Sequence, residues 1–324
     1  MKWLVMVWEC APMSRKDIKY ISGHEPFPVM SRIIDKKKVK KVVFLAMAES
    51  KAAPKTECTA LLSSRTSKTS KSRANYDRLA CCYDSWASWE RPYVDAGFAL
   101  LDIQAGETYL EVGVGTGKLL ARAAAASVSG TCVGIDLSSK MCERARRFCG
   151  RELGEGCVVE HVGAAVVAVV GADGGGSSVD DGPGRVAGRV QVVCGDAFNV
   201  LAETRMTFDA VAVCFTLELF EDEDMLRLLD QLRCRLTVRD DRGGGGGCGG
   251  GGRIVLVAMS EAAKGGCAMC CYRWIRGCCS KVVDCKPVDV AGLVRCVGGL
   301  EVTHRSVLPM YGLAVELVEA RLSE

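Results

Sequence analysis

The chain is short of histidine. Its 324 residues include only three: His24 in a segment without a periodic pattern, His161 in a low-complexity stretch, and His304 on a late strand far from any expected site mouth. The side chain that most often serves as a general base is therefore not expected to act here. Long apolar runs are missing too. The longest, such as "AAVVAVV" at Ala164 to Val170, fall far short of the roughly 20 residues that cross a bilayer, so no spanning helix is expected, while peripheral membrane contact stays open. No clean signal-peptide layout opens the chain. Cysteine is plentiful at 19 residues, but disulfide frameworks belong to short secreted chains and the count is odd. Cys132, Cys194 and Cys214 fall inside expected buried strands, where a thiol behaves as a small hydrophobe, and the reading is a reducing compartment. A zinc site lacks its second half: Cys267 and Cys270 form a C-x-x-C, but Cys271, Cys278 and Cys279 complete no familiar pair. No metal is expected.

The part expected to fold has no surplus of positive charge. The net charge of +3 hides an asymmetry, because residues 1–74 hold 16 Lys+Arg against 6 Asp+Glu and leave 26 against 33 for the remainder. An acidic body argues against a nucleic-acid substrate, whose phosphates need a basic surface. What the chain does have is apolar material, 49% hydrophobic residues with a mean hydropathy of +0.14, enough for one sizeable domain.

Residues 1–71 show no sustained period, carry a "KKKVKK" run and end in "SSRTSKTSKSR", which reads as a basic disordered extension. The acid-free stretch from Cys58 to Asn75 has a transit-peptide character that the earlier acids contradict. From residue 72 a domain is expected. A helix across "ANYDRLACCYDSWASW" and another across "PYVDAGFALLD" lead into apolar strands alternating with helices, beginning "TYLEV", "KLLARAAAA", "TCVGID". Continuous apolar strands between helices mean a parallel sheet covered on both faces. At the end, "LEVTHRSVL" and "GLAVELVEARL" lie too close for a parallel crossover and should form a hairpin, making one strand antiparallel. Low-complexity inserts at about 161–188 and 240–252 read as expanded loops, which a fold carries at small entropic cost.

"YLEVGVGTGKLL", Tyr109 to Leu120, runs from a strand through Gly113, Gly115 and Gly117 into a helix. Such turns often hold a pyrophosphate on the helix N-terminus. Glu111 argues against that ligand, since a carboxylate beside the turn would repel it. A ligand with a cation fits better, and S-adenosylmethionine has one in its ammonium. Asp136 lies 21 residues beyond Gly115, where a carboxylate can accept both ribose hydroxyls. In "CGDA", Asp196 can take the adenine amino group while the Ala197 amide faces a ring nitrogen. Glu111, Asp136 and Asp196 thus end successive strands and supply acceptors for ammonium, ribose and adenine in turn.

On "LEVGVGTG", "GIDLS", "CGDA" and the terminal hairpin, the sequence resembles the class I S-adenosylmethionine-dependent methyltransferases over Ala74 to Leu322. More narrowly, "YDRLACCYD", "FTLELFEDED" and "VDCKP" are similar to the ubiquinone/menaquinone-biosynthesis group. The resemblance implies an α/β Rossmann-like three-layer sandwich with a seven-stranded, mostly parallel sheet and one antiparallel strand near the C-terminus. It also implies methyl transfer without settling the acceptor, which is expected to be a small molecule, lipophilic or aromatic in character, and it places Leu137 and Cys214 among the cofactor-binding residues. Tyr76 and Tyr83, seven residues apart, fall on one helical face, and in the family such a helix lies over the cofactor. That places Tyr83 by the sulfonium, with ordinary packing as the alternative. Thr216 and Glu218 follow the fourth strand, whose end faces the transferred methyl. Glu218 is the candidate base where the acceptor must lose a proton, and an exposed helix-cap carboxylate is its plain alternative. Met269, Tyr272 and Trp274 are expected to line an apolar lid over the acceptor. Two other functions stay open: a nicotinamide-dependent oxidoreductase, and a non-catalytic subunit that keeps the fold to bind a partner. The residues do not specify an oligomeric state.

Overall fold

Strands buried on both faces need helices above and below them, and the chain supplies both layers. The computed structural model describes residues 70–154, 159–163, 188–238, 251–263, 267–278 and 285–323. One sheet is built from β1 (Tyr109–Val112), β2 (Thr131–Asp136), β3 (Val159–Gly163), β4 (Arg189–Cys194), β5 (Ala210–Cys214), β6 (Arg253–Ser260), β7 (Leu300–Met310) and β8 (Leu313–Leu322). Their order is β3-β4-β2-β1-β5-β6-β8-β7. Neighbours pair in parallel except β8, which is antiparallel to both β6 and β7. The seven expected strands are present, and β3 adds an eighth at the edge of the sheet, from the start of the first insert.

The helices are α1 (residues 70–79), α2 (Tyr83–Trp86), α3 (Arg91–Leu101), α4 (Lys118–Ser127), α5 (Ser139–Leu153), α6 (Ala197–Glu203), α7 (Asp222–Arg233), α8 (Cys267–Cys278) and α9 (Val290–Val297). Alternate residues of each strand serve opposite layers. Leu110, Val211 and Ile254 pack with α6, α7 and α9, while Tyr109, Ala212 and Val255 pack with α3, α4, α5 and α8. The β7–β8 hairpin turns on Tyr311 and Gly312, both left-handed at φ 48° and 83°, which is the sense that matches strand twist.

Three sequence expectations change. The single helix expected over Ala74–Trp89 is broken: α1 stops at residue 79, Ala80–Cys82 turn, and α2 runs into a 3-10 turn at Ala87–Trp89. The helix also extends back to residue 70, two residues before the expected boundary. Helices α6 and α9, which the sequence pattern does not announce, are short, and each is opened by an aspartate accepting a backbone bond: Asp196 from Phe198 N and Asp289 from Gly292 N. The extension before residue 70, nearly all of both inserts, Cys279 and the side chains of Cys267 and Cys278 lie outside the described residues. No helix among the described residues is long and apolar enough to cross a membrane.

Candidate cofactor and acceptor site

Chain direction reverses across the sheet at β1, since β2 and β4 lie on one side and β5 and β6 on the other. Ligand crevices form at such a switch point, beyond the carboxyl ends of the strands. A cavity of about 670 Å³ opens there, lined by Val112 and Gly113 at the end of β1, Asp136 and Leu137 at the end of β2, Asp196 and Ala197 after β4, and Phe215 and Thr216 after β5.

The glycine turn has this shape because its backbone is left-handed at φ +80°, +53° and +80° for Gly113, Gly115 and Gly117. A Cβ on Gly113 would stand 2.0 Å from Thr216 Oγ1, and one on Gly117 would stand 2.7 Å from Ala145 Cα. Those two positions admit the neighbouring elements. Gly115 differs, because the nearest atom to its would-be Cβ is 3.8 Å away on Tyr83, and this open side faces the cavity. The Gly115 amide donates to Asp136 Oδ2 at 2.9 Å, and the Ser138 amide donates to Asp136 Oδ1 at 2.8 Å. The Asp136 carboxylate therefore holds the glycine turn. Burial pushes its pKa up to about 6, with the Ser138 and Gly115 amides working the other way. Asp196 Oδ1 accepts from the Phe198 amide at 2.9 Å as the cap of α6, and Asp196 itself lines the cavity.

Of the remaining sequence candidates, Tyr83 and Thr216 line the cavity, whereas Glu111, Gly117, Cys214 and Glu218 do not. Glu111 sits inside β1 between Gly134 of β2 and Ala212 of β5, 4% exposed, with Oε2 lacking a hydrogen-bond partner. Burial, then the charge of Asp136, holds its carboxyl well above the ordinary range. Cys214 ends β5, and its carbonyl accepts from Thr216 Oγ1 at 3.0 Å. Glu218 is no exposed cap: it is 2% exposed, with Oε1 accepting from Met259 N at 3.4 Å and Oε2 unpartnered. Burial pushes it up to about 8.

The three residues expected to line a lid do not reach the cavity. Met269 and Tyr272 are buried in the core beneath α8, Trp274 is 58% exposed, and none of the three lines the cavity. An amphipathic helix turns one face to the sheet and the other to water, and Trp274 stands on the wet face. The aromatic wall comes from Tyr76, Tyr83, Phe198, Phe215 and Phe220 instead. Phe215 adopts a left-handed backbone at φ 48°, a strained state found at functional turns, and Trp89 meets its ring edge-on at 5.5 Å.

Sequence reasoning also missed what the aspartates of "YDRLACCYD" do. Asp77 accepts from Ser138 Oγ at 2.6 Å. Asp84 accepts from Thr116 Oγ1 at 2.8 Å, Lys118 Nζ at 2.8 Å and Arg144 at 2.9 Å. Partial burial pushes the Asp84 carboxyl up, but the bonds from Lys118, Thr116 and Arg144 outweigh it and leave the group below its ordinary value. One aspartate ties α1 to the turn after β2, and the other ties α2 to the glycine turn. Two turns at different places need two helical pieces, which accounts for the break at Ala80–Cys82. The repeat of Tyr-Asp was the available signal, and its two residue types divide the work, since the tyrosines line the cavity and the aspartates fasten the helices.

No family model matches the chain, and no curated protein matches it. Among solved structures it is similar to the magnesium protoporphyrin IX methyltransferase of Synechocystis PCC 6803, at 14% identity over 89% of this chain and 100% of that one, with a TM-score of 0.41. It is also similar to the mitomycin 7-O-methyltransferase MmcR, at 17% identity over 80% of this chain and 67% of the other, TM-score 0.44. A third is the S-adenosylmethionine-dependent methyltransferase SibL, at 16% identity over 77% and 62%, TM-score 0.47.

Proposed function

We propose that the chain transfers a methyl group from S-adenosylmethionine to a small acceptor with an apolar or aromatic body. The observation that carries this reading is the convergence of Gly115, Asp136 and Asp196 from three strand ends on one cavity, next to a buried glutamate oxygen without a partner. The residues fit the cofactor: Glu111 for the ammonium, Asp136 for the ribose hydroxyls, Asp196 and the amides after it for adenine, with Leu137 beside them. A pyrophosphate finds no comparable welcome, because Glu111 and Asp136 are both acids at the turn.

When bound, S-adenosylmethionine supplies a methyl group on a sulfonium whose departure leaves a neutral thioether. The chain's own contribution is alignment, which can supply much of the acceleration in an in-line displacement. Tyr83 and Thr216 stand at the cavity between the glycine turn and the end of β5, where they orient the two reactants. Glu218 is the group we assign to take a proton from the acceptor side. The aromatic wall suits a flat, lipophilic acceptor, and quinone precursors of the kind handled by the ubiquinone/menaquinone group belong to that class. Residues 1–71 are read as an extension to a domain that starts near residue 72.

A thermal scan tests the reading. S-adenosylhomocysteine and S-adenosylmethionine should raise the melting temperature and NAD should not, since a ligand at about 100 times its Kd stabilises the folded state by roughly 2.7 kcal/mol. A shift with NAD and none with either sulfur ligand would overturn it.

A further inference from the structure

Phe215 stands where the backbone asks for glycine. β5 ends at Cys214, and the next residue turns the chain with a left-handed backbone at φ 48°, a conformation that strains a residue carrying a Cβ and suits glycine. The sheet still holds it, because the Phe215 amide donates to Val257 O at 2.7 Å. Thr216 then packs over Gly113, where a Cβ would collide with the threonine side chain. Glycine would make this turn without strain, so what keeps a phenylalanine there is its ring.

Phe215 is 7% exposed and lines the cavity. Its ring meets Trp89 at 5.5 Å and 74° and Tyr93 at 6.4 Å and 73°, the edge-to-face arrangement that aromatic quadrupoles favour. Tyr93 is fixed in turn by its hydroxyl, which donates to Pro309 O at 2.7 Å. Of these three rings Phe215 alone reaches the cavity. The other phenylalanines of the wall form a separate group: Phe198 and Phe220 meet at 5.6 Å and 87°, with the Arg227 guanidinium 4.9 Å from the centre of the Phe198 ring. Phe198 sits in the first turn of α6, beside Asp196 and Ala197. The cavity thus has one aromatic group next to the Asp196 turn and another at the end of β5, the latter braced from behind.

We propose that Phe215 selects the acceptor: an aromatic ring of the acceptor packs against it, while Trp89 and Tyr93 hold the Phe215 ring in place. This rests on the methyltransferase reading above and narrows its acceptor to molecules with a flat, unsaturated ring. With adenosine assigned to Asp136 and Asp196, the polar strand ends after β2 and β4 belong to the cofactor. The strand end left for the acceptor is that of β5, where Phe215 is followed along the wall by Leu219 and Phe220. A planar ring can lie offset or edge-on against a braced phenylalanine, with its quadrupole matched to that of the wall. A saturated ring of the same skeleton is thicker and has no quadrupole to match. Leucine or methionine at position 215 would keep the surface apolar and lose that distinction.

The test uses 2-naphthol and decahydro-2-naphthol, one skeleton with and without its aromatic rings. Each is titrated calorimetrically into the full chain saturated with S-adenosylhomocysteine. The wild type should bind 2-naphthol about threefold tighter or more, within the roughly two- to tenfold that one aromatic contact contributes. Phe215→Leu and Phe215→Met should each abolish the preference, Phe215→Tyr should keep it, and all three should leave S-adenosylhomocysteine within twofold. A residue that only packs the turn would lower the melting temperature of the variants and leave the ratio of the two affinities where it was. Photolabelling of the wild type with 6-azido-2-naphthol depends on no variant folding, and the label should fall on Phe215 or Thr216. Equal affinity for the two naphthols, a preference that survives in the Leu and Met variants, S-adenosylhomocysteine weakened along with 2-naphthol, or a label that misses both residues overturns the inference. Failure of S-adenosylhomocysteine to bind is seen before either probe is added, and it removes the methyltransferase reading itself.

Discussion

Replacing Glu218 by glutamine should stabilise the folded protein, and more so as pH rises. The carboxyl is 2% exposed, holds one long bond from Met259 N at 3.4 Å, and has a pKa near 8 against an ordinary 4.5. An unfolded chain releases this proton as pH passes about 4.5, while the folded chain keeps it to about 8. Between those values the folded state binds more protons, so wild-type stability falls as pH rises. Below the window both states are protonated and the effect vanishes; above it the loss is constant. At about 1.36 kcal/mol per unit, the ceiling is about 5 kcal/mol above pH 8 and about 3 kcal/mol at pH 7. Relaxation of a buried site lowers this, and a gain of about 1–3 kcal/mol at pH 7–8 is expected for a neutral side chain of the same shape whose oxygen can still accept from Met259. In a domain of this size that is a rise in Tm of roughly 3–10 °C. Scanning fluorimetry of both proteins from pH 4.5 to 9 at fixed ionic strength should show the two Tm curves diverging with pH. Parallel curves, or a lower Tm for Glu218→Gln at pH 8, would refute the reasoning.

Asp136→Asn should weaken S-adenosylhomocysteine about tenfold or more at pH 7, the loss of a bond to a charged group. The wild-type affinity should drop as pH falls through about 6, where Asp136 takes up its proton, and the Asn variant should lack that step; isothermal titration at pH 5 and 7 reads both. Asp84→Ala unfastens α2 from Thr116, Lys118 and Arg144. With Asp84 one-third exposed, it should cost only about 1 kcal/mol of stability while raising the S-adenosylhomocysteine Kd several-fold, as denaturant melts and calorimetry would show; an unchanged Kd would mean that the bonds do not shape the turn. Trp274→Ala should change stability by less than about 0.5 kcal/mol, as exposed substitutions do, and leave ligand affinity alone; a large loss in a melting curve would contradict its outward position.

The strand ends were readable because the requirements there are local. Three glycines in alternate positions after an apolar run demand left-handed backbone, and Asp136 and Asp196 follow their strands by fixed offsets. Distant partners were not readable. Asp84 meets Thr116 across 32 residues and Asp77 meets Ser138 across 61, separations at which no sequence period operates. Trp274 misleads for another reason: Met269 and Tyr272, three residues apart, mark the buried face of α8, and Trp274, two residues further on, falls on the wet one, so a large apolar ring is no sign of an inward position.

The first low-complexity segment has a length that the sheet constrains. β3 and β4 run side by side in the same direction, from Val159↔Val190 to Gly163↔Cys194. The chain leaving Gly163 at one end of the sheet must therefore return to Arg189 at the other before it can pair. Such a return takes about a dozen residues or more. Below that length the outermost strand would detach and leave β4 as the open edge, its backbone donors and acceptors available to another chain.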